Sequence, residues 1–191
     1  MRNYFQHEQA LVSSKAKIGE NTRIWAFVNI QDGAVIGKEC NICDGCYVEK
    51  GAVIGDHVTI KNGVAVYEGV ILEDDVFCGT NVAFINDRYP RSHRSDAWTL
   101  EKTCVKKGAT IGSNSTIMCG VTIGAYALIG AGSVVTRDIN NHWIVTGNPA
   151  KPVGYACCCG RRLPSTLTCI VCKLHYVLEG DELHLKTRKS S

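Results

Sequence analysis

From Ile18 onward an aliphatic residue returns at every sixth position. The series runs Ile18, Ile24, Ile30, Ile36, Ile42, Val48, Ile54, Ile60, Val66 and Leu72, then Cys78 and Phe84. It breaks there and resumes at Val105, Ile111, Ile117, Ile123, Ile129 and Val135. Two positions before each stands a small or β-branched residue, as at Ala34, Val58, Val64, Ala109 and Ser133. Glycine often follows, as at Gly19, Gly37, Gly55, Gly112, Gly124 and Gly130. A period of six is neither helical nor the plain alternation of a strand. It predicts one short strand and one tight turn per hexad, with glycine relieving turns that need positive φ. Three hexads close a triangular coil, and the coils stack as a parallel β-helix. Twelve hexads before the break and six after it predict about six coils. Each coil buries its apolar face only against its neighbours, so an all-β solenoid of several coils is required for stability.

The break is as informative as the repeat. Phe84 and Val105 are 21 residues apart where the repeat allows six, so fifteen extra residues leave the coil and form a loop over 86–102. A long loop on a rigid scaffold is usually functional. This one holds Arg88, Tyr89, Arg91, His93 and Arg94, and Pro90 holds its exit extended. Arginine forks match phosphate or carboxylate, against which stands a solvated loop with scattered charge. The organisation expected is a lead-in over 1–14, the β-helix over 15–152 and an appendage over 153–191.

Composition narrows the setting. A net charge of +3 is too weak to argue for nucleic acid. The basic residues Lys186, Arg188 and Lys189 read as a solvated end. No apolar run is long enough to span a bilayer and the first ten residues are polar, so a cytoplasmic protein without membrane insertion is expected. Eleven cysteines then read as reduced core fillers or metal ligands. Cys40 and Cys46 fall in inward small slots and Cys78 in an aliphatic slot, so all three read as filler despite the Cys40-x-x-Cys43-x-x-Cys46 spacing.

The hexads, the loop opening Phe84-Ile85-Asn86-Asp87-Arg88-Tyr89-Pro90-Arg91-Ser92 and the exit through Thr146-Gly147-Asn148-Pro149-Ala150-Lys151-Pro152 together resemble one family over roughly residues 15–155. It is the left-handed parallel β-helix acyltransferases, in the branch of N-acetyltransferases for UDP- or dTDP-linked 3-amino sugars of surface polysaccharides such as lipopolysaccharide. The resemblance implies left-handed coils and a homotrimer with active sites between subunits. It also implies acetyl-CoA as co-substrate, lying towards the C-terminal coils.

Acetyl transfer to an amine needs less base than transfer to a hydroxyl, because an amine is already nucleophilic. In relatives of this branch an asparagine matches Asn86; its amide would orient the amine through the carbonyl oxygen. Asp87 and Glu68 are the carboxylates that would assist, although Asp87 equally suits a loop cap and Glu68 a solvated turn. The resemblance brings the sugar to the early coils and the loop, where Trp25, Asn29, Asn62, Arg88, Tyr89, Arg91 and His93 are the candidates to touch it, although Asn29 and Asn62 equally suit an asparagine ladder of the solenoid. It implies a pantetheine arm against backbone amides at coil turns, for which Gly112, Gly120, Ala131 and Gly132 are the candidates; Arg137 and Lys151 would suit the CoA phosphates and equally suit ordinary surface charge. Many relatives carry Trp-His-Phe where this chain has Trp25-Ala26-Phe27, which puts the proton handling or the substrate at variance. Two other readings compete: an O-acetyltransferase using His93 as base, and a non-catalytic scaffold.

Beyond Pro152 the hexads stop. Cys157-x-Cys159 and Cys169-x-x-Cys172 resemble a small zinc ribbon, with His175 as another possible ligand. A segment this short lacks a sufficient core, so structural Zn²⁺ would supply the missing free energy. A four-cysteine site has no open position for catalysis.

Overall fold

The computed structural model describes residues 3–93 and 99–186. Arg94, Arg188 and Lys189 lie outside the described residues. Among the described residues the chain is all-β, winding as a three-faced parallel β-helix whose faces are sheets of nine, seven and six strands. The first face carries Phe5–Gln6, Arg23–Ile24, Asn41–Ile42, Thr59–Ile60, Phe77–Cys78, Thr110–Ile111, Leu128–Ile129 and Trp143–Thr146. The antiparallel strand Lys151–Tyr155 completes it. Asn29–Ile30, Tyr47–Val48, Ala65–Val66, Ala83–Phe84 and Thr116–Ile117 lie on the second face. Val35–Ile36, Val53–Ile54, Val70–Leu72 and Thr103–Val105 lie on the third. The registers follow the eighteen-residue coil, as in Ile24 opposite Ile42 and Ile36 opposite Ile54.

The solenoid has eight rungs on the first face where six coils were expected. At the start, Phe5 pairs with Arg23 and Leu11 with Asn29, so strands already form within residues 1–14. The pattern is disguised there because Gln6 occupies an aliphatic slot, its amide donating to the Ala10 carbonyl at 3.0 Å. At the far end the phase slips. Ile139 bridges Ile123 and Val145 pairs with Ile129, each sixteen residues on rather than eighteen.

The inward columns are buried. Ile24, Ile42, Ile60 and Ile111 are fully buried, and so are Cys40 and Cys78, which confirms the cysteines as filler. Burial pushes the Cys46 thiol up to about 11. All eleven cysteines are unpaired. Buried hydroxyls are satisfied locally: Thr22 donates to the Gly37 carbonyl at 2.8 Å and Ser115 to that of Gly130 at 3.0 Å. No helix of the described residues is long and apolar enough to cross a membrane.

The turn glycines have a different cause from the one expected. Gly37 and Gly55, which follow the aliphatic slots, are not in the positive-φ region. A Cβ on Gly37 would lie 2.5 Å from the carbonyl oxygen of Gly55 in the next coil. These glycines permit coil-on-coil approach. The positive φ falls later in the turn, at residues such as Gly33, Gly69 and Gly120, and also at Asn21, Asn81 and Asn114.

Candidate functional site

The extruded loop leaves the edge between the second and third faces. Leu72 pairs with Val105, 33 residues on, which is one coil plus the fifteen extra residues. Its two limbs are tied at the base. Arg88 Nε donates to Glu101 Oε1 at 2.9 Å, and Nη2 donates to Oε2 at 2.7 Å and to the Cys119 carbonyl at 2.7 Å. Leu100 lies on Gly69, where a Cβ would be 2.6 Å from Cδ1. The Arg88 guanidinium holds the Glu101 carboxyl below its usual range. The sequence suggested Arg88 for an anion and Gly120 for CoA; the structure puts Arg88 in an ion pair and lays that pair on Gly120.

Asn86 and Asp87 are partly exposed at the root of this loop. The Asp87 carboxylate accepts from the Tyr89 amide at 2.9 Å, which is the loop-capping role. Arg91 donates to the Pro90 carbonyl at 2.8 Å, and Tyr89 and His93 are exposed. Glu68 stands on the same edge, its side chain over Gly51 towards the N-terminal coils, and its amide donates to Glu49 at 2.8 Å. Asn29 projects from the second face and accepts from Gln31 at 2.7 Å. Arg137 is exposed farther along this edge, whereas Lys151 opens the strand Lys151–Tyr155 that completes the first face, opposite Thr146.

The remaining candidates sit on the other edge of the second face, where it meets the first. Trp25 donates through Nε1 to Asn41 at 2.8 Å and packs its ring 5.4 Å from Phe5. Asn62 donates to Asp44 at 3.1 Å. Gly112, Ala131 and Gly132 follow on this edge. The N–H groups of Gly112 and Gly132 are committed to the carbonyls of Ile129 and Ser113, at 2.8 and 2.9 Å. The amides of these two residues are therefore spent within the solenoid. In one chain the candidate residues thus divide between two edges that border the same face.

The appended segment has a core of its own: Cys157, Leu163, Cys169, Tyr176 and Leu183. Its four cysteines converge. Cys157 Sγ is 3.3 Å from Cys172 Sγ, Cys159 Sγ is 3.5 Å from Cys169 Sγ, and all four lie within 4.8 Å of one another. Four thiolates at about 2.3 Å from one Zn²⁺ stand about 3.8 Å apart, so the donor set fits a tetrahedral soft-metal site. Backbone N–H donors at Cys172 and Val171 lower the Cys169 thiol towards about 6. His175 bonds Thr168 at 2.7 Å and is not part of the cluster.

Several residues here escaped the sequence reading. Tyr176 places its hydroxyl 3.2 Å from Cys157 Sγ and accepts from the Cys158 amide. His142 stacks on Tyr126 and meets Tyr176 edge-on, joining the segment to the solenoid. Glu101 and the Cys119 carbonyl were also missed. The signal available for Glu101 was an acid near the loop's end facing a base near its start.

Residues 15–50 and 105–137 match the bacterial transferase hexapeptide family (six repeats), and residues 33–68 match the hexapeptide repeat of succinyl-transferase. The dTDP-3-amino-3,6-dideoxy-alpha-D-galactopyranose 3-N-acetyltransferase of Aneurinibacillus thermoaerophilus is 55% identical over 159 residues, spanning 83% of this chain and 82% of its own. Among solved structures, the acetyltransferase domain of PglB from Neisseria gonorrhoeae, in complex with acetyl coenzyme A, shares the fold at 23% identity. It has a TM-score of 0.53 and covers 79% of this chain and 58% of that one. A Bacillus cereus structure shares the fold at 26% identity, with a TM-score of 0.51 over 85% of this chain and 83% of its own. With hexapeptide matches on both sides of the extruded loop and a relative this similar along most of both chains, the chain belongs to the left-handed β-helix hexapeptide transferases, in their nucleotide-amino-sugar N-acetyltransferase branch.

Proposed function

We propose that the protein transfers the acetyl group of acetyl-CoA to the amine of a dTDP-linked 3-amino sugar. The observation that carries this reading is the 55% identity to a dTDP-3-amino-sugar 3-N-acetyltransferase across 83% of the chain. Asn86 at the loop root supports it, since an amide orients an amine that needs no strong base. The amine nitrogen attacks the thioester carbonyl, a C–N bond forms, and the C–S bond breaks as the tetrahedral intermediate collapses. The ammonium proton then passes to the leaving CoA thiolate. Hydrogen-bond donors aimed at the oxyanion lower the barrier. Asp87, capping the Tyr89 amide, serves to shape the loop, and Glu68 faces the N-terminal coils from which the sugar approaches.

The division of candidates between two edges supports a trimer. If the second face of each prism turns towards a threefold axis, the Trp25–Asn62–Gly132 edge of one subunit meets the neighbour's loop edge. Acetyl-CoA then lies in the groove between subunits, with Arg137 and Lys151 near its phosphates. The cysteine cluster holds Zn²⁺ as a structural ion, which fixes the appended segment and takes no part in transfer. Unpaired cysteines throughout suit a reducing cytoplasm.

The test is incubation with acetyl-CoA and a panel of UDP- and dTDP-linked 3- and 4-amino sugars, with products identified by mass spectrometry. Acetylation of a dTDP-3-amino sugar, lost in Asn86→Ala, is the expected result. Transfer only to hydroxyl acceptors, abolished by His93→Ala, would replace this reading with O-acetylation. No product and no retained CoA would leave a scaffold.

A further inference from the structure

We propose that Arg88 is a positioning residue: with Glu101 and the Cys119 carbonyl it closes the base of the extruded loop and thereby sets where Asn86 stands. The inference rests on the proposed role of Asn86, two residues away.

Arg88 lies on the outgoing limb of the loop and Glu101 on the returning limb, and their forks meet side by side through two hydrogen bonds. A third bond fastens the guanidinium to the Cys119 carbonyl of the coil that follows. Three of the five donors of the fork are spent inside the protein. The seat is shaped for the pair. Gly120 has φ +79°, and a Cβ there would stand 2.7 Å from Glu101 Oε2 and 3.3 Å from Arg88 Nη2. The coil that precedes the loop carries a matching seat at Gly69, φ +85°, filled by Leu100. The returning limb is therefore held on both sides, by an apolar contact below and an ion pair above. The Cys119 thiol, itself buried, points its sulfur at Glu101 Oε1 from 3.8 Å. Closing a loop of this length costs chain entropy, and a bidentate pair restricts it more than a single charge contact does.

The test compares Arg88→Ala, Arg88→Lys, Glu101→Ala and the Arg88→Ala/Glu101→Ala double variant. Two readouts are used: thermolysin cleavage within 86–102 mapped by mass spectrometry, and steady-state kinetics against both substrates. The expected result for each alanine variant is cleavage faster by about tenfold and kcat lower by about tenfold, with both KM values within about twofold. The double variant is no worse than either single one, because the two residues act as a unit. Arg88→Lys recovers less than half of the lost kcat, since an ammonium makes no fork. A KM for the nucleotide sugar raised by about tenfold in Arg88→Ala alone, with kcat kept, would make Arg88 a direct anion ligand and overturn the proposal. So would unchanged cleavage in both alanine variants. If wild-type protein acetylates no amino sugar, the functional reading fails while the cleavage comparison still decides the clamp.

Discussion

Gly37→Ala and Gly33→Ala, two changes four residues apart, separate the two reasons for glycine in this solenoid. At Gly37 the added Cβ would lie 2.5 Å from the Gly55 carbonyl oxygen and 2.6 Å from its carbonyl carbon. Both are backbone atoms of the adjoining coil and cannot swing aside. The coils must part, which stretches the Gly37 N–H bond to the Ile54 carbonyl and the Lys38 amide bond to Asp56, now 2.8 and 2.9 Å. Overpacking costs about 1–3 kcal/mol, and two weakened hydrogen bonds add about 1 kcal/mol each. The sum is about 3–5 kcal/mol, or a fall in Tm of about 6–20 °C for a chain of this size. At Gly33, φ is +76° and nothing lies within 4 Å of the added carbon. Alanine there meets left-handed strain of about 1–2 kcal/mol, offset by about 0.4–1 kcal/mol from a stiffer unfolded chain. The net of about 1 kcal/mol lowers Tm by about 2–4 °C. Thermal melting followed by circular dichroism reads both. A Gly33→Ala loss equal to or larger than that of Gly37→Ala would refute the stacking argument.

Other expectations follow from the same structure. Purified protein should contain about one zinc per chain, and Cys169→Ser should release it and expose the appended segment to protease, as read by elemental analysis and digestion. Co-expressing Asn86→Ala chains with Asn62→Ala chains should restore activity above that of either variant, because mixed trimers then hold an intact site between subunits. Burial lowers the His142 pKa from its usual 6.5, opposed by its bond to the Ala156 carbonyl. The unfolded chain therefore binds the proton first, so stability should fall as pH drops below about 6.5. Melting curves of His142→Gln beside the wild type should show that pH dependence reduced.

Much of this fold is written in the spacing of single residues. Ile24, Ile42 and Ile60 stack because each returns after one coil, and the fifteen-residue excess between Phe84 and Val105 is reproduced in the register. The ends were harder to read. Gln6 in an aliphatic slot hides the first coil, and the two-residue slip before Ile139 hides the last. The cysteine cluster was legible because metal chemistry needs four thiols at short spacing. The commitments of Arg88, Gly112 and Gly132 were not legible. Which fork or amide is already spent depends on residues such as Glu101, Ile129 and Ser113, brought close by the winding rather than by the local sequence.

The central claim is the chemistry of the acceptor, and one competition experiment meets it directly. Wild-type protein receives acetyl-CoA with equal amounts of a dTDP-3-amino-3,6-dideoxy sugar and its 3-hydroxy counterpart, and the products are separated and weighed by mass spectrometry. The account predicts acetyl groups on the amine alone, with free CoA released in equal amount. Acetylation of the hydroxy sugar, or of neither while CoA stays bound, would contradict it.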